Sequence, residues 1–400
     1  MKLHFNRAPR PDAILLSDWN RWTWQLQKSL KSQLDFENAF ALSAEESQIF
    51  QKGSEVFNIR TTPYYASLAG AHPADPIRRI FMPNTLELGT PVQAMLDPLG
   101  ERNNNPAPRI IHRYPDRVLF LITDICSVYC RYCTRKHFTG QEQAFIKTDE
   151  YTQALNYIKT HPGIREVILS GGDPLTVSDV QLDRTLYDLR QIEHVEIIRL
   201  GTRMPVVCPM RVSEDLVKIL RKHKPVFLMS HFNHPREITE EAAQALELFV
   251  DHGVPVMNQM VLLNGVNNHA AIVQALSRRL LYLRVKPYYM FQCDPSRGTD
   301  HLRTSIEDSL EIQKELWGNL SGLAMPTLSL DIPGGGGKTY YVPCYEVQSS
   351  PEKRSYRGWD GVDAEYVNPP QESIQKPLDT EIYLEEWRSL KSAKNTCHLR

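Results

Sequence analysis

The 400-residue chain contains no apolar run approaching the roughly 18 to 20 residues of a membrane span. Its opening residues, MKLHFNRAPRPD, hold charges and prolines where a secretory leader needs an apolar core. It also lacks a charge imbalance: Lys and Arg number 46 against 47 Asp and Glu, a net charge of -1. That removes the bulk positive field on which non-specific nucleic-acid binding depends. A disulfide framework is missing too, since the seven cysteines are an odd count and Cys208, Cys293, Cys344 and Cys397 are scattered. These absences predict a cytoplasmic protein in a reducing compartment, with neither membrane nor nucleic acid as partner. The remainder, 42% hydrophobic and 23% charged, is ordinary globular composition in a chain long enough to need no staple for stability.

The first hundred residues read as helical and irregular. In LLSDWNRWTWQLQKSL, Ser17 or Asp18 can cap a helix that presents Trp19, Trp22, Trp24 and Leu26, and Ser43 with Glu46 forms a capping box. From Tyr64 to Arg109 proline and turn residues dominate, which predicts a wrapping segment or linker without chemistry of its own. From residue 117 the pattern changes to six short apolar runs: 117–124, 166–173, 195–202, 225–232, 254–263 and 285–294. Amphipathic stretches of helical length separate them, with Ser213 and Thr239 as N-caps. Strand and helix alternating six times, with runs rich enough for burial on both faces, predict a parallel sheet, open or curled into a partial barrel. A helix near 303–318, a β run ending at Asp331, a four-glycine loop, a strand pair and a polar tail complete the chain.

Nearly every run ends in polar residues, the pattern of an enzyme that gathers its site at the C-terminal ends of barrel strands. In order these are three cysteines, then Ser170-Gly171-Gly172-Asp173, Thr202 and Arg203, His231 with Asn233 and His234, Asn258 and Gln259, and Cys293 with Asp294.

The segment C126-S-V-Y-C130-R-Y-C133 crowds Cys126, Cys130 and Cys133 into eight positions. Structural zinc is usually closed by four ligands, and no CxxC partner occurs elsewhere. A [4Fe–4S] cluster on three cysteines keeps one iron open for a small molecule and is the reading the spacing favours. Zinc and chance clustering of buried cysteines stand as alternatives. The CxxxCxxC spacing resembles the radical S-adenosylmethionine superfamily, whose signature lies in the loop after the first strand of a partial (β/α)6 barrel. The resemblance implies that the open iron binds S-adenosylmethionine, and that Gly171, Gly172 and Asp173 serve as the methionine-binding motif in which Glu is commoner than Asp.

GGGGKT invites a phosphate-loop reading, which fails because a Walker A motif ending at Lys338 needs glycine at 332, where Ile332 stands, and no helix follows. A solvated turn, or a lysine that forms and releases a Schiff base with pyridoxal phosphate, are the readings left. Together the cysteine cluster and DIPGGGGK make the chain similar to the lysine 2,3-aminomutase family over roughly residues 17 to 345. That resemblance implies Lys338 as the catalytic pyridoxal-phosphate lysine, and Arg113, Tyr114 and Arg117 of HRYPDR as its pocket. It implies Arg135 as the clamp for a substrate carboxylate, and His231 and Gln259 facing S-adenosylmethionine. Asp294 and Asp331 suit a distant cationic group, which favours L-lysine converted to β-lysine over arginine or glutamate. The partners it implies are an amino acid substrate, a low-potential flavodoxin- or ferredoxin-type electron donor, and further copies of the chain in a homo-oligomer. A cluster-bearing binding or redox module without mutase activity is the reading from another class.

The chain departs from the family in having Arg131-Tyr132 where Arg-His is common, and Asn267-Asn268-His269 where a zinc-binding Asn-Asp-Cys occurs in bacterial members. Only Cys397 lies beyond Cys344, so no interfacial zinc is expected. The fold expected is α/β: a helical N-terminal extension over 1–110, a partial (β/α)6 TIM-like barrel over 111–302, and a C-terminal extension over 303–400 that carries the pyridoxal-phosphate lysine.

Overall fold

The computed structural model describes residues 3–370 except 54–57, 90–94, 137–138 and 140–142, together with 377, 380, 381, 384 and 388. Nine strands form one sheet in chain order. They are β1 (Ile110–Tyr114), β2 (Arg117–Thr123), β3 (Glu166–Gly171), β4 (Ile197–Thr202), β5 (Val226–Ser230), β6 (Val256–Leu262), β7 (Lys286–Gln292), β8 (Thr327–Ile332) and β9 (Gly337–Tyr340). Strands β2 to β8 run parallel, while β1 and β9 turn back antiparallel at the two edges. The six expected runs are β2 to β7. A seventh parallel strand, β8, pairs with β7 from Tyr289 and Thr327 onward, so the sheet runs across the 302/303 boundary expected for the barrel.

Local sequence explains the helices over the sheet. Ser178 with Gln181 caps 179–190, Ser213 caps 214–222, Thr239 caps 240–251 and Ser305 with Asp308 caps 306–316. Beneath them every second strand residue is buried: Val118, Phe120 and Ile122 on β2, Val167 and Leu169 on β3, Ile198 and Leu200 on β4. The expectation of burial on both faces is corrected here. The alternate residues, such as Leu119, Ile168 and Gly201, face a lumen that encloses a cavity of about 770 Å³ instead of a packed centre.

The expected long N-terminal helix is two short ones, Leu16–Trp19 and Trp22–Gln27, and neither Ser17 nor Asp18 caps them. Buried Gln25 explains the break, because its amide donates to the Trp19 carbonyl at 2.8 Å and its oxygen accepts from Tyr64 N at 2.9 Å. The Ser43–Glu46 capping box forms as expected, and Glu46 also reaches back to buried Arg78 at 2.6 Å. A small exposed antiparallel sheet, β10 (Glu346–Ser349), β11 (Lys353–Arg357) and β12 (Asp363–Val367), follows the barrel. Among the described residues no helix is long and apolar enough to cross a membrane.

The proline-rich segment 64–109 is more than a wrapper. It delivers Glu87, fully buried, to Arg131 at 2.6 Å and Lys136 at 3.2 Å, one cation inside the cysteine loop and one just after it. Burial works against the Glu87 charge, but these neighbours outweigh it and hold the carboxyl below its ordinary range. Replacing one partner leaves buried charge uncompensated, so Glu87→Gln is expected to destabilise the protein by about 3–5 kcal/mol. Urea unfolding followed by circular dichroism measures it, and a loss below about 1 kcal/mol contradicts the assignment.

Candidate active site

The three cysteines, Arg113, Tyr114, Arg117, Arg135, Gly171, Gly172, Asp173, His231, Gln259, Asp294, Asp331 and Lys338 line one cavity, whereas Asn233, His234, Asn258 and Cys293, which also lie in or after the strands, are not among its lining residues. Arg113, Tyr114 and Arg117 sit where β1 turns into the start of β2, whereas the cysteines, Gly171 to Asp173, His231, Asp294 and Asp331 lie near or beyond the C-terminal ends of the parallel strands, so residues up to 225 positions apart share the lumen.

The cysteine loop leaves β2 and is held from three sides. Tyr129 N donates to Arg60 O at 3.0 Å and Arg131 N to Ile80 O at 2.8 Å, both on the N-terminal wrap. The turn after β3 presses against it backbone to backbone: Gly172 N donates to Thr123 O at 2.7 Å and Asp173 N to Ile125 O at 2.8 Å. A Cβ at Gly171, whose φ is +127°, would lie 2.1 Å from Thr123 O, and one at Gly172 would lie 2.3 Å from Ile125 O. Both positions therefore require glycine. Arg203 at the end of β4 closes the third side, donating to Cys130 Sγ at 2.8 Å, Glu237 at 2.8 Å and Tyr65 Oη at 3.0 Å.

Burial, reinforced by neighbouring Cys133, pushes the Cys126 thiol up, and burial with Cys130 pushes Cys133 up to about 11. Thiols so placed become thiolates when a cation offsets the cost. Among the described residues no three His, Cys, Asp or Glu side chains converge on a single-ion site. The three cysteines line one cavity in a loop pinned on several sides, a donor set of three thiols that fits a cluster bound through three cysteines.

Asp173, which the resemblance assigns to the methionine-binding motif, lines the cavity and is also engaged within the protein. Its carboxylate accepts from Thr202 Oγ1 at 2.6 Å, Arg203 N at 2.7 Å and Leu175 N at 3.0 Å, so it ties the ends of β3 and β4 together. His231 and Gln259 lie 2.6 Å apart, and burial, with Arg203 and Arg135 nearby, drives the imidazole down to about 3, keeping it neutral.

At the seam between the sheet edges, Arg113 on β1 donates to Asp331 on β8 at 2.8 Å, and Lys338 N on β9 donates to Tyr114 Oη at 2.9 Å. The glycine loop is a β-hairpin turn whose register sets Asp331 opposite Lys338, with Nζ 3.2 Å from the carboxylate. The Tyr114 ring lies under Arg117 at 4.0 Å and beside Arg113 at 5.3 Å. An amine, two guanidiniums and a phenol converging on one seam fit a phosphate-bearing aldehyde. Asp294 follows β7, and burial together with the charge of Asp331 raises its carboxyl to about 7. Arg135 is engaged by Glu101, an acid that sequence reasoning passed over. Asn267, where the family's zinc segment departs, is instead a buried bracket donating to Asn233 O and Val261 O. Cys397 lies outside the described residues.

Comparison with known proteins places this geometry in context. Residues 120–274 match the radical SAM superfamily and residues 313–396 match a lysine-2,3-aminomutase family model. The chain is 44% identical over 354 residues to the L-lysine 2,3-aminomutase of Clostridium subterminale, covering 88% of this chain and 85% of that one. It is 42% identical over 352 residues to the L-lysine 2,3-aminomutase of Bacillus subtilis, covering 88% and 75%. The glutamate 2,3-aminomutase of Clostridioides difficile is 38% identical over 360 residues, covering 90% and 85%.

The close backbone packing at Gly172 makes a sharp test. Gly172→Ala is expected to retain less than about half of the wild-type iron after reconstitution, because the loop must shift by more than 1 Å to admit the methyl group. Gly322→Ala, where a Cβ meets nothing within 4 Å, should load normally. Iron per chain and the visible absorbance of the cluster report the outcome, and equal loading in the two variants contradicts it.

Proposed function

Because the chain belongs to the lysine 2,3-aminomutase family of radical S-adenosylmethionine enzymes, an isomerase family, we propose that it moves the α-amino group of L-lysine to the β carbon, giving β-lysine. The observation that carries the substrate assignment is the pair of carboxylates, Asp294 and Asp331, in a cavity that also holds Arg135. An α-carboxylate on Arg135 and an ε-ammonium between the two acids fix both ends of a lysine. A glutamate side chain would instead meet two negative charges, and a guanidinium fits the acids as an ammonium does.

In this reading Cys126, Cys130 and Cys133 hold a [4Fe–4S] cluster, Gly171, Gly172, His231 and Gln259 face S-adenosylmethionine, and Lys338, Tyr114, Arg113 and Arg117 hold pyridoxal phosphate. When bound, these groups supply a carbon-centred radical for hydrogen removal at the β carbon and a carbonyl that carries the migrating nitrogen. The chain's own residues do the rest. Lys338 must lose a proton before its amine can attack a carbonyl, and Asp331, 3.2 Å from Nζ, is placed to take it. Neutral His231 offers S-adenosylmethionine a hydrogen bond without adding a charge. The wall of Leu119, Ile168, Phe227, Met229 and Phe291 keeps water from the reacting carbon. A low-potential donor of the flavodoxin or ferredoxin type supplies the electron, and the active site lies within each copy of a homo-oligomer.

The direct test is anaerobic incubation of the reconstituted protein with dithionite, S-adenosylmethionine, pyridoxal phosphate and either L-lysine, L-arginine or L-glutamate, with products identified by mass spectrometry. β-Lysine is expected, and should vanish in Lys338→Ala and Cys130→Ala. Turnover of arginine or glutamate in preference to lysine contradicts the substrate, and absence of any β-amino acid contradicts the mutase.

A pH profile separates the acid pair from a general effect. Asp294 is protonated below about pH 7 and ionised above it, so an ammonium is bound better as pH rises. The kcat/KM for lysine is expected to fall tenfold per pH unit below about 7 and to level off above. In Asp294→Asn this limb should flatten at a lower plateau, and an unaltered limb rules out Asp294 as its source.

A further inference from the structure

Arg135 faces the cavity with one of its edges already occupied. Its Nε donates to both oxygens of Glu101, at 3.0 and 2.7 Å, its Nη2 donates to the same carboxylate, and Nη1 donates to Ser170 Oγ at 3.1 Å. Glu101 comes from the proline-rich segment and is itself fixed. Asp97 accepts from Glu101 N and Arg102 N at 2.9 Å each, and Asn104 Nδ2 donates to Gly100 O at 2.7 Å. The same short stretch touches two other parts of the site. Leu99 O accepts from Arg113 at 3.0 Å, Pro98 O accepts from Gly334 N at 2.9 Å, and a Cβ at Gly100 would lie 2.9 Å from Gly335 Cα.

We propose that Glu101 is the positioning residue for Arg135, holding the Nε–Nη2 edge while Ser170 takes one hydrogen of Nη1, so that only the remaining hydrogens of the two terminal nitrogens meet the substrate α-carboxylate. This rests on the reading of Arg135 as the carboxylate clamp. A guanidinium offers more than one edge to a carboxylate, and on an unpartnered side chain the choice is left to the ligand. With one edge taken, the approach of the amino acid is set before it binds, and so is the direction in which its β carbon points. Glu101 also cancels the net charge of Arg135, so the clamp discriminates by the direction of its hydrogen bonds rather than by bulk attraction. Because residues 97–104 also brace Arg113 and the hairpin of Lys338, the carboxylate end and the amine end of the substrate are referenced to one piece of backbone.

The experiment compares Glu101→Gln, Glu101→Asp and Arg135→Gln with wild type, each as anaerobically reconstituted holoenzyme. Dissociation constants for L-lysine and L-lysinamide, which lacks the carboxylate, are measured alongside kcat and KM for L-lysine. In Glu101→Gln the preference for lysine over lysinamide is expected to shrink about tenfold and kcat to fall about tenfold or more, while lysinamide binding stays near wild type. If both ligands weaken together and the preference is kept, Glu101 is a scaffold only and the proposal fails. If the preference grows, Glu101 competes with the substrate and the proposal also fails. Should Glu101→Gln not yield folded holoenzyme, Glu101→Asp, which keeps the charge one methylene further back, is expected to show the same loss in smaller measure. Arg135→Gln tests the foundation: a preserved preference there removes the clamp reading itself, whereas a lost preference there with an unchanged one in Glu101→Gln removes only the role of Glu101.

Discussion

The ion pair between Arg113 and Asp331, 2.8 Å across the seam between the first and the eighth strand, is the contact on which the site's geometry depends. A parallel sheet that stops short of closing leaves two edges without a shared ladder of hydrogen bonds. Side chains must then do what backbone pairing does in a closed barrel. Here Arg113 and Tyr114 reach from one edge to Asp331 and Lys338 on the other, and residues 97–104 lie along the gap. The lumen encloses a cavity of about 770 Å³, and Lys338 keeps a defined place at its seam.

In and around the cavity buried acids face one or two cations each. Glu87 balances Arg131 and Lys136 beside the cysteine loop, Glu237 balances Arg203, Glu101 balances Arg135, and Asp331 balances Arg113 and Lys338. Asp294 stands apart: burial and the nearby Asp331 raise its carboxyl to about 7, so its charge changes close to neutrality. A low-dielectric pocket strengthens each of these contacts and makes each uncompensated charge costly.

Much of the chemistry was legible in the residues because it lies in local spacing. The four-then-three separation of the cysteines, the glycine pair before Asp173 and the four glycines before Lys338 are short-range patterns, and the three cysteines, Gly171, Gly172, Asp173 and Lys338 all line the cavity. The partners of those residues were not legible. Glu87 and Glu101 lie in a proline-rich stretch with no periodicity to mark them, and they meet Arg131 and Arg135 across 44 and 34 positions. The role of Asp173 as a tie between strands, and the break between the two N-terminal helices at Gln25, follow from neighbours that the local pattern does not name.

The sequence by itself determined the repeat of strand and helix, and with it a parallel sheet for β2 to β7, because apolar runs and N-caps act over a few residues, while the order of those strands came from the structure. It also determined the cysteine loop and the lysine hairpin, where glycine alone tolerates the backbone required. Only the tertiary structure decided that β8 extends the parallel sheet, that the lumen is an open cavity, and which acid faces which arginine. The physical reason is range: propensity and capping are local, whereas a buried charge takes its partner from whatever the chain's path brings within about 3 Å, and that path is fixed by the whole core.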